Sequence, residues 1–504
     1  MSSDSSKVIL SLKERREIEE YLNALLGEAT SQEQQEEALS KLSEHGTAAI
    51  PALIARLRSA NPQQRALLGQ LAQRLPRDAA VSALKGVAGD LNRTGKERLS
   101  AMTILDQFLQ EPLEASLFRG LGDPRSLAIE SLEEALADIE GDPESMIEYV
   151  RQLEQQPEEV IAAIIDATHY VRHPLVPLLL AMVALGASPS ITEAALQRLG
   201  SIRQPEALRA LRALTKHLRP AANELAERAM RKLTLSGIEA TAEEGPDWRA
   251  LISPPDIFGQ QVVWFIRAAA PGTPLLFITV LIQDRSRIRD TAGTVDPVQD
   301  ALPRRAEPGQ VHTVQLPPPG GIAFFVEAPF DAGRELVAQA IQWHQAHGQP
   351  LPVSYRYYHV PLWMQPHEDS SLVIPGEGSW RAEDTARLLH HPAFSAWTLS
   401  DPLLSAVMQP YAASDRLDWS DPKLQAIKEQ AAHQLLSDAQ LSALEIRLRS
   451  MAEWLVLAHE RELASLALWT AAHLRDVPPS EHPFLSKLAQ RSLTRAWQHI
   501  KATR

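Results

Sequence analysis

The chain of 504 residues contains no cysteine. Disulfide bonds, thiolate nucleophiles, cysteine-ligated zinc and iron–sulfur clusters all need that side chain, so each is excluded. Positive charge is also in short supply, because 63 acidic residues against 50 basic ones give a formal net charge of −13. Nucleic acids and anionic membrane surfaces attract clustered positive charge, so this composition disfavours both as general partners.

Long apolar stretches are missing as well. The longest apolar run, Leu175 to Ala187, is too short to span a bilayer and predicts a buried helix. The first residues, Met1 to Lys7, lack the basic and then apolar order of a signal peptide. The sequence therefore predicts a cytoplasmic protein that does not enter a membrane.

Tryptophan is absent from the first 247 residues, whereas all ten tryptophans lie at or after Trp248. This asymmetry indicates two regions that pack by different rules. Between them, residues 236–247 combine Gly237, Gly245 and Pro246 with acidic and small residues. Such a composition predicts a linker.

Proline recurs at regular intervals in the first region. One series is Pro112, Pro143, Pro174 and Pro205, and the second is Pro124, Pro157, Pro189 and Pro220, extended backwards by Pro62 and the Thr94-Gly95 turn. Proline fits the first turn of a helix, where its missing N–H is not needed, so the two series predict two helices per repeat of about 31 residues. A single helix pair cannot bury its apolar face alone, and stacked pairs predict a solenoid.

The run from Ala49 to Leu75 resembles a HEAT repeat. It has Ile50-Pro51-Ala52-Leu53 in the first helix, Asn61-Pro62 at the turn and Arg65 at the start of the second helix. The resemblance covers roughly Gly46 to Leu235, although several later units lack the first-helix proline, and the remainder is similar to the tails of uncharacterised bacterial HEAT-repeat proteins. Because HEAT-repeat proteins are typically protein-binding scaffolds, with a minority that bind nucleic acid or act as enzymes, the resemblance implies a scaffold.

The second region carries strand signals and then returns to helix. Four apolar or aromatic runs predict strands at residues 261–266, 275–282, 324–326 and 353–359, and Arg334 to His347 predicts a helix. The segment from Thr291 to Gln310 predicts an exposed loop. Further on, Leu441 to Leu457 and Leu463 to Leu474 predict a helical hairpin.

The predicted fold class is therefore mainly α. The predicted segments are N-terminal capping helices at 1–45, a HEAT-like α-solenoid at 46–235, a linker at 236–247, a small α+β domain at 248–365 and a C-terminal helical region at 381–504.

Sixteen histidines raise the question of a metal site, yet none shows a recognised ligand spacing, and the H-E-x-x-H motif is absent. The nearest candidates are His344 with His347, His390 with His391, and His359 with His367, Glu368 and Asp369. The glycine-rich pieces also lack the P-loop lysine and the dinucleotide spacing. The sequence therefore predicts neither a metal nor a cofactor.

Four acidic residues of the α+β domain leave a catalytic alternative open. Asp284, Asp290, Glu327 and Asp331 could gather at one sheet edge and serve a hydrolytic enzyme. A restriction-type nuclease needs a lysine two places after the acidic residue, but no lysine occurs between Trp248 and Trp363. No catalytic residue is assigned, and turn or capping roles are favoured for the acidic residues.

Charge is uneven along the predicted solenoid. Residues 106–166 contain sixteen Asp or Glu against three Arg, whereas residues 198–232 contain nine Arg or Lys against three Glu. Arg209, Arg212, Lys216 and Arg219 follow helical spacing, which predicts a basic stripe opposite the leucines of the same segment. The stripe is either a solvated outer face or a surface that binds an acidic partner.

The predicted function is a non-catalytic protein–protein interaction scaffold, with Arg209, Arg212, Lys216 and Arg219 as candidate partner-binding residues. The α+β domain and the helical tail would form a second binding surface. Two alternatives stay open: a hydrolytic enzyme that uses acidic residues of the 248–365 domain, and nucleic-acid binding through the basic last repeats. The acidic total and the lack of aromatic residues among those arginines count against nucleic acid.

Overall fold

A computed structural model describes residues 12–27, 32–58, 62–113, 117, 124–139, 142–186, 188–239, 247–269, 275–295, 302–316, 321–364, 372–399 and 402–502. The chain is mainly helical, with one antiparallel sheet in the middle and further helices after it, which confirms the predicted fold class. Among these residues no helix is both long and apolar enough to cross a membrane. The chain divides into two compact units, Met1–Val176 and Pro177–Arg504.

The first unit is built from helices. They are α1 (Leu12–Leu26), α2 (Gln32–Glu44), α3 (Ile50–Arg56), α4 (Pro62–Arg74), α5 (Arg77–Gly89), α6 (Gly95–Thr103), α7 (Pro124–Ile139), α8 (Pro143–Glu154) and α9 (Glu158–Ala167). Helix α6 begins with a capping box, in which Thr94 Oγ1 accepts from Glu97 N at 3.3 Å and Glu97 Oε2 accepts from Thr94 N at 3.0 Å. Leucines from several helices, including Leu22, Leu42 and Leu71, share one fully buried core.

The helices of the second unit flank the sheet in sequence. They are α10 (Val176–Ala184), α11 (Pro189–Leu199), α12 (Pro205–Leu214) and α13 (Pro220–Leu235) before the sheet, then α14 (Phe330–Ala346), α15 (Val353–Trp363), α16 (Pro402–Met408), α17 (Pro422–Leu435), α18 (Asp438–Leu457), α19 (Arg461–His473) and α20 (Pro483–Ala502). The helices α10–α13 thus fall in the same compact unit as the sheet. The five-segment division of the chain stays a prediction, and residues 240–246 of the predicted linker lie outside the described residues.

Proline marks most of the helix starts that its spacing predicted. Helices begin at Pro62, Pro124, Pro143, Pro189, Pro205 and Pro220, and α9 begins directly after Pro157. Two positions differ: residues 111–113, around Pro112, are not helical, and α10 begins two residues after Pro174. The proline effect is local, since it tolerates a helix start without requiring one.

The sheet has six strands, β1 (Trp248–Ile252), β2 (Gln260–Arg267), β3 (Leu276–Gln283), β4 (Arg287–Val295), β5 (Val311–Leu316) and β6 (Gly321–Ala328). Their order is β4-β3-β2-β1-β6-β5, and every neighbouring pair is antiparallel. Helix α14 lies against one face, and the contact is close at Gly333. A Cβ there would stand 2.7 Å from the Phe265 ring and 2.9 Å from Ala250 Cβ, so a side chain at this position would push the helix off the sheet.

The strands predicted at 261–266, 275–282 and 324–326 are confirmed as parts of β2, β3 and β6. The prediction of a loop from Thr291 to Gln310 is wrong at its start, because β4 runs to Val295. No strand was predicted at β1, β4 or β5. Strands β1 and β5 are short, and β4 carries charges and glycine, so the strand signals of all three are weak.

The strand predicted at 353–359 is wrong, because these residues begin helix α15. Their β-branched and aromatic side chains favour strand by propensity. At helical spacing, however, one side of α15 carries Tyr355, Tyr358, His359 and Leu362, and all four are buried. Tertiary packing therefore decides for the helix.

The C-terminal helices are joined to the sheet by tryptophan side chains. Trp454 Nε1, on α18, donates to the Ile252 carbonyl at 2.8 Å, and Trp397 Nε1 donates to the Pro255 carbonyl at 2.9 Å. Both rings are buried. The predicted hairpin is confirmed as α18 and α19.

Candidate functional site

Helix α12 buries one side that is entirely apolar and keeps Glu206, Arg209 and Arg212 on the other side. Its buried residues are Ala207, Leu208, Ala210, Leu211, Ala213 and Leu214. They pack against α13 and α15. Burying six of ten residues fixes the helix in place and leaves its long polar side chains outside.

The four predicted partner-binding residues do not share one helical face, so that part of the prediction is wrong. Helix α12 ends at Leu214, so Lys216 lies in the following turn and Arg219 is the N-cap residue of α13. Arg209 is half-buried and stands 3.7 Å from Glu206. Arg212, Lys216 and Arg219 are exposed, and we call these three residues the basic turn.

His217, which lies between Lys216 and Arg219, holds the backbone of the basic turn in place. His217 is buried, and its ring lies 4.1 Å from that of Trp363 and 5.1 Å from that of His359. Its carbonyl also accepts a hydrogen bond from Gln345 Nε2 on α14. Arg212 therefore projects from the last turn of α12, and Lys216 and Arg219 project from the residues that follow it, on either side of a histidine anchored in the interior of the second unit.

A buried chain of hydrogen bonds between Trp363, Tyr355 and His359 supports the basic turn from the interior of the protein. Trp363 Nε1 donates to Tyr355 Oη at 2.8 Å, and His359 lies 3.2 Å from Tyr355 Oη through Nδ1 and 3.2 Å from the Ala213 carbonyl through Nε2. A carbonyl only accepts, so Nε2 carries the proton and Nδ1 accepts from the tyrosine hydroxyl. With this tautomer, Trp363, Tyr355 and His359 all have hydrogen-bond partners. The Ala213 carbonyl, near the end of α12, also gains a donor that the last turn of a helix does not supply.

Burial keeps His359 neutral. It lowers the pKa of the imidazole to about 4, because the interior disfavours the charged form. His359 is one of the metal candidates of the sequence, but both of its ring nitrogens already have partners: Nδ1 bonds Tyr355 within α15, and Nε2 joins α15 to α12. Only the fold could show this, since Ala213 is distant in sequence.

The four acidic residues of the catalytic alternative are not brought together. Asp290 lies on β4 and Glu327 on β6, and three strands separate them in the sheet. Asp331 belongs to α14, and Asp284 belongs to the turn after β3.

Each of these acidic residues has a structural partner. Asp284 binds Arg447 Nε at 2.8 Å, Asp290 accepts from Ser354 Oγ at 3.0 Å, Glu327 binds Arg249 at 2.9 Å and His312 at 2.9 Å, and Asp331 binds Arg334 Nε at 2.8 Å. Asp284 and Asp290 join helices α18 and α15 to the sheet, and Glu327 joins β6 to β1 and β5, roles that differ from the turn and capping roles favoured from the sequence. Asp331 pairs within the first turn of α14.

The remaining histidine candidates are also placed individually. His344 Nε2 accepts from Ile288 N at 3.2 Å, the His347 ring stacks on Trp343 at 4.1 Å, and His391 Nδ1 accepts from Ala393 N at 3.3 Å, whereas His390 is exposed. His367, Glu368 and Asp369 lie outside the described residues. Within the described part of the chain, no three His, Asp or Glu side chains are grouped to hold a metal ion.

A cleft of about 450 Å³ lies between α14 and α18, and the sequence did not indicate it. Its polar lining includes Gln261, Arg285, Glu335, Gln339 and Glu453, and its apolar lining includes Ala332, Leu336, Leu372, Ile374, Trp454 and Leu457. The volume is within the range of ligand pockets. The cleft lies between the α+β domain and the helical tail, which are the two parts predicted to form a second binding surface.

One side of this cleft is built on a strained turn. Asp284 and Arg285 have φ values of 49° and 55°, and Ser286 N donates to the Gln283 carbonyl at 2.9 Å, as in a type I′ hairpin turn. Arginine is unfavourable in that conformation. Two ion pairs to α18 hold it, Asp284 with Arg447 and Arg285 with Glu453.

No protein-family model, curated protein or solved structure matches the chain. The resemblance to HEAT repeats therefore stays a prediction, and the function must be argued from the side chains themselves.

Proposed function

We propose that the chain is a non-catalytic protein–protein interaction scaffold that binds an acidic protein partner at the basic turn. The observation that carries this proposal is the exposure of Arg212, Lys216 and Arg219 around the buried, anchored His217. Three cations on a rigid support attract carboxylates without the cost of ordering a loop.

The rigidity of the support separates this surface from an ordinary solvated helix face. Long side chains on a mobile loop lose conformational freedom when they bind, and that loss offsets much of the attraction. Here the backbone on both sides of Lys216 is already held, by the packed face of α12 and by the contacts of His217 with Trp363 and Gln345. Only the side chains themselves remain to be ordered.

The charge of the whole chain favours a compact acidic protein over nucleic acid. A net charge of −13 repels a long polyanion, whereas a protein partner needs only a local acidic patch. The only ring in the segment 212–219 belongs to His217, which is buried, so this segment offers a base no exposed aromatic side chain to stack on.

The cleft between α14 and α18 supports a second contact surface. Its lining mixes apolar walls with a charged pair, Arg285 and Glu453, in the way that the centre and rim of protein interfaces do. Binding at two separate surfaces would let one scaffold hold two partners together.

Binding of a defined acidic probe tests the proposal. A labelled decaglutamate peptide is titrated with wild-type protein and with the triple variant Arg212→Gln/Lys216→Gln/Arg219→Gln, and fluorescence anisotropy reports binding. We expect affinity to fall at least about tenfold in the variant, and wild-type binding to weaken steeply between about 0.05 and 0.2 M salt. Arg209 is left unchanged because it is half-buried beside Glu206.

A matched control removes the same charges elsewhere. Arg416→Gln/Lys423→Gln/Arg495→Gln replaces two exposed arginines and one exposed lysine of the C-terminal helical region and should leave binding unchanged. Equal loss in both triple variants would mean that only net charge matters and would overturn the proposed site. Tighter binding of a 20-base-pair DNA duplex than of the peptide, lost in the first variant only, would favour the nucleic-acid alternative.

A further inference from the structure

Strand β5 forms one edge of the six-stranded sheet, and no strand in the described part of the chain pairs with its outer side. Glu327 N donates to the Gln310 carbonyl at 2.8 Å, and the register then places His312 opposite Phe325 and Val314 opposite Ala323. Hydrogen-bonded pairs alternate along an antiparallel ladder. The N–H and C=O groups of Val311, Thr313 and Gln315 therefore point away from β6, and no other described strand pairs with them.

The two edges of the sheet are protected very differently. Strand β4 carries Arg287, Arg289 and Asp290, and its ladder with β3 has a register shift. Helix α15 also covers it, with Tyr358 Oη donating to the Gly293 carbonyl at 3.1 Å. Charges, bulges and a covering helix are the usual features that prevent a sheet edge from pairing with another chain.

Strand β5 has none of these features within Val311–Leu316, and the bulge formed by Gly309 and Gln310, which both hydrogen-bond to Glu327, precedes it. Its sequence, Val311 to Leu316, contains no proline and no Asp, Glu, Lys or Arg, and its register with β6 is regular. Its one titratable residue, His312, is turned inward onto Glu327 at 2.9 Å. The side chains of Val311, Thr313 and Gln315 are exposed. An edge of this kind is a template for an added strand.

We infer that β5 pairs with β5 of a second copy of this chain, in an antiparallel, twofold-symmetric dimer. A twofold axis through the edge places Thr313 opposite its own copy and Val311 opposite Gln315. All three outward residues on each chain then exchange hydrogen bonds, and no like charges meet across the new ladder. The two sheets join into one of twelve strands, twice the six of a single copy.

Charge distinguishes this contact from the one at the basic turn. Each copy carries a net charge of −13, so two copies repel at low salt, and the dimer strengthens as salt screens that repulsion. Binding of an acidic partner at the basic turn weakens with salt instead. The dimer is therefore independent of the proposed scaffold function, and in high salt, which screens the repulsion added by removing three cations, the triple glutamine variant of the basic turn dimerises like the wild type.

Sedimentation equilibrium of the full chain tests the pairing. A ladder of three outward residues per chain buries little surface, so association is expected to be weak and is measured up to roughly 200 µM protein. Thr313→Pro removes an outward N–H that β6 does not use, so the sheet stays intact while dimerisation is lost. Thr313→Val keeps the N–H and should dimerise like the wild type. Should Thr313→Pro fold poorly by circular dichroism, Thr313→Lys serves as the second disrupting variant.

The absence of cysteine gives a direct test of the register. The variant Thr313→Cys introduces the only thiol of the chain. Directly opposed residues of a hydrogen-bonded antiparallel pair have Cα atoms about 5.5 Å apart, which is within reach of a disulfide. Mild oxidation with oxidised glutathione should give a covalent dimer. Thr294→Cys, on an exposed position of β4, should stay monomeric and serves as the control. A monomeric wild type across the concentration range, or a dimer that neither Thr313→Pro nor Thr313→Lys disrupts, would overturn the inference.

Discussion

The charged residues of the α+β domain and those of the basic turn are of the same chemical types, but their surroundings are opposite. The side chains of Arg249 and Arg334 are 11% and 1% exposed, and each has a carboxylate partner, Glu327 and Asp331. The cations of the basic turn are exposed. A buried charge must be paired to offset its lost hydration, whereas an exposed charge can exchange water for a group on another molecule.

The contrast shows why acidic residues in a sequence are weak evidence for catalysis. Glu327 and Asp331 drew attention as possible catalytic groups, yet they are the counterions that make two buried arginines tolerable. The cations of the basic turn are exposed instead, Arg212 in the last turn of α12 and Lys216 and Arg219 after it. Burial therefore separates charges that hold the fold from charges that are available to a partner, and three measurements sharpen the contrast.

The largest effect is expected at Arg334. Its guanidinium binds Asp331, lies 4.5 Å from the Phe330 ring and donates to the Leu362 carbonyl at 3.4 Å, while burial lowers its pKa. Arg334→Met breaks a buried pair and should lower the free energy of unfolding by about 3–5 kcal/mol in urea titrations. The exposed pair Arg305–Asp247 is the control, because Arg305→Met should cost about 1 kcal/mol or less. Equal losses at both arginines would contradict the comparison.

An intermediate effect is expected from pH. The pKa of His359 is lowered to about 4 by burial, so at pH values between about 4 and 6.5 the unfolded chain binds a proton at this residue that the folded chain does not. Stability from this group is therefore complete above pH 6.5 and is lost as pH falls through that window, by about 3 kcal/mol at most.

The variant His359→Gln tests the assignment. Glutamine can still donate to the Ala213 carbonyl but does not titrate, so the free energy of unfolding should depend less on pH between 4.5 and 6.5. A residual slope from His482, whose pKa burial also lowers to about 4, should remain. His390→Gln, at an exposed histidine, should reproduce the wild-type slope, and a His359 variant with that same slope would refute the prediction.

The smallest effect is expected at the basic turn. The variant Arg212→Gln/Lys216→Gln/Arg219→Gln should change the free energy of unfolding by about 1 kcal/mol or less, since exposed charges contribute little to stability. Urea unfolding of this variant beside the wild type measures the change. A loss comparable to that of Arg334→Met would show that these cations hold the fold, and the contrast with the buried arginines would fail.

Local sequence signals predicted the elements whose formation depends on neighbouring residues. Proline spacing marked the starts of α4, α7, α8 and α11–α13, because proline acts through its own missing N–H and restricted φ. Long apolar runs marked β2 and β3 for a similar reason. Residues 353–359 show the limit, because their strand propensity was overridden by burial on one side of α15.

The candidate site, too, could be predicted from the sequence only in part. The cluster of basic residues after position 198 was visible in the sequence, but its geometry was not, because the end of α12 at Leu214 depends on how the next turn is held. The contact of His217 with Trp363 joins residues almost 150 positions apart, and the cleft between α14 and α18 joins elements about 100 positions apart. No periodicity within one segment carries such information.

Composition and local patterns suffice to establish that this protein lacks thiol chemistry, that it is mainly helical, that its middle contains a sheet, and that its basic and acidic residues are segregated. These properties depend on composition and on repeats of a few residues, which act within a single turn or strand. The tertiary fold was needed to show which charges are buried counterions and that His359 hydrogen-bonds to a carbonyl near the end of α12. It was also needed to show that helix α15 covers one sheet edge, whereas no described strand pairs with the outer side of β5. Those outcomes depend on contacts between distant segments, where burial sets the free energy of every charge and every unpaired backbone group.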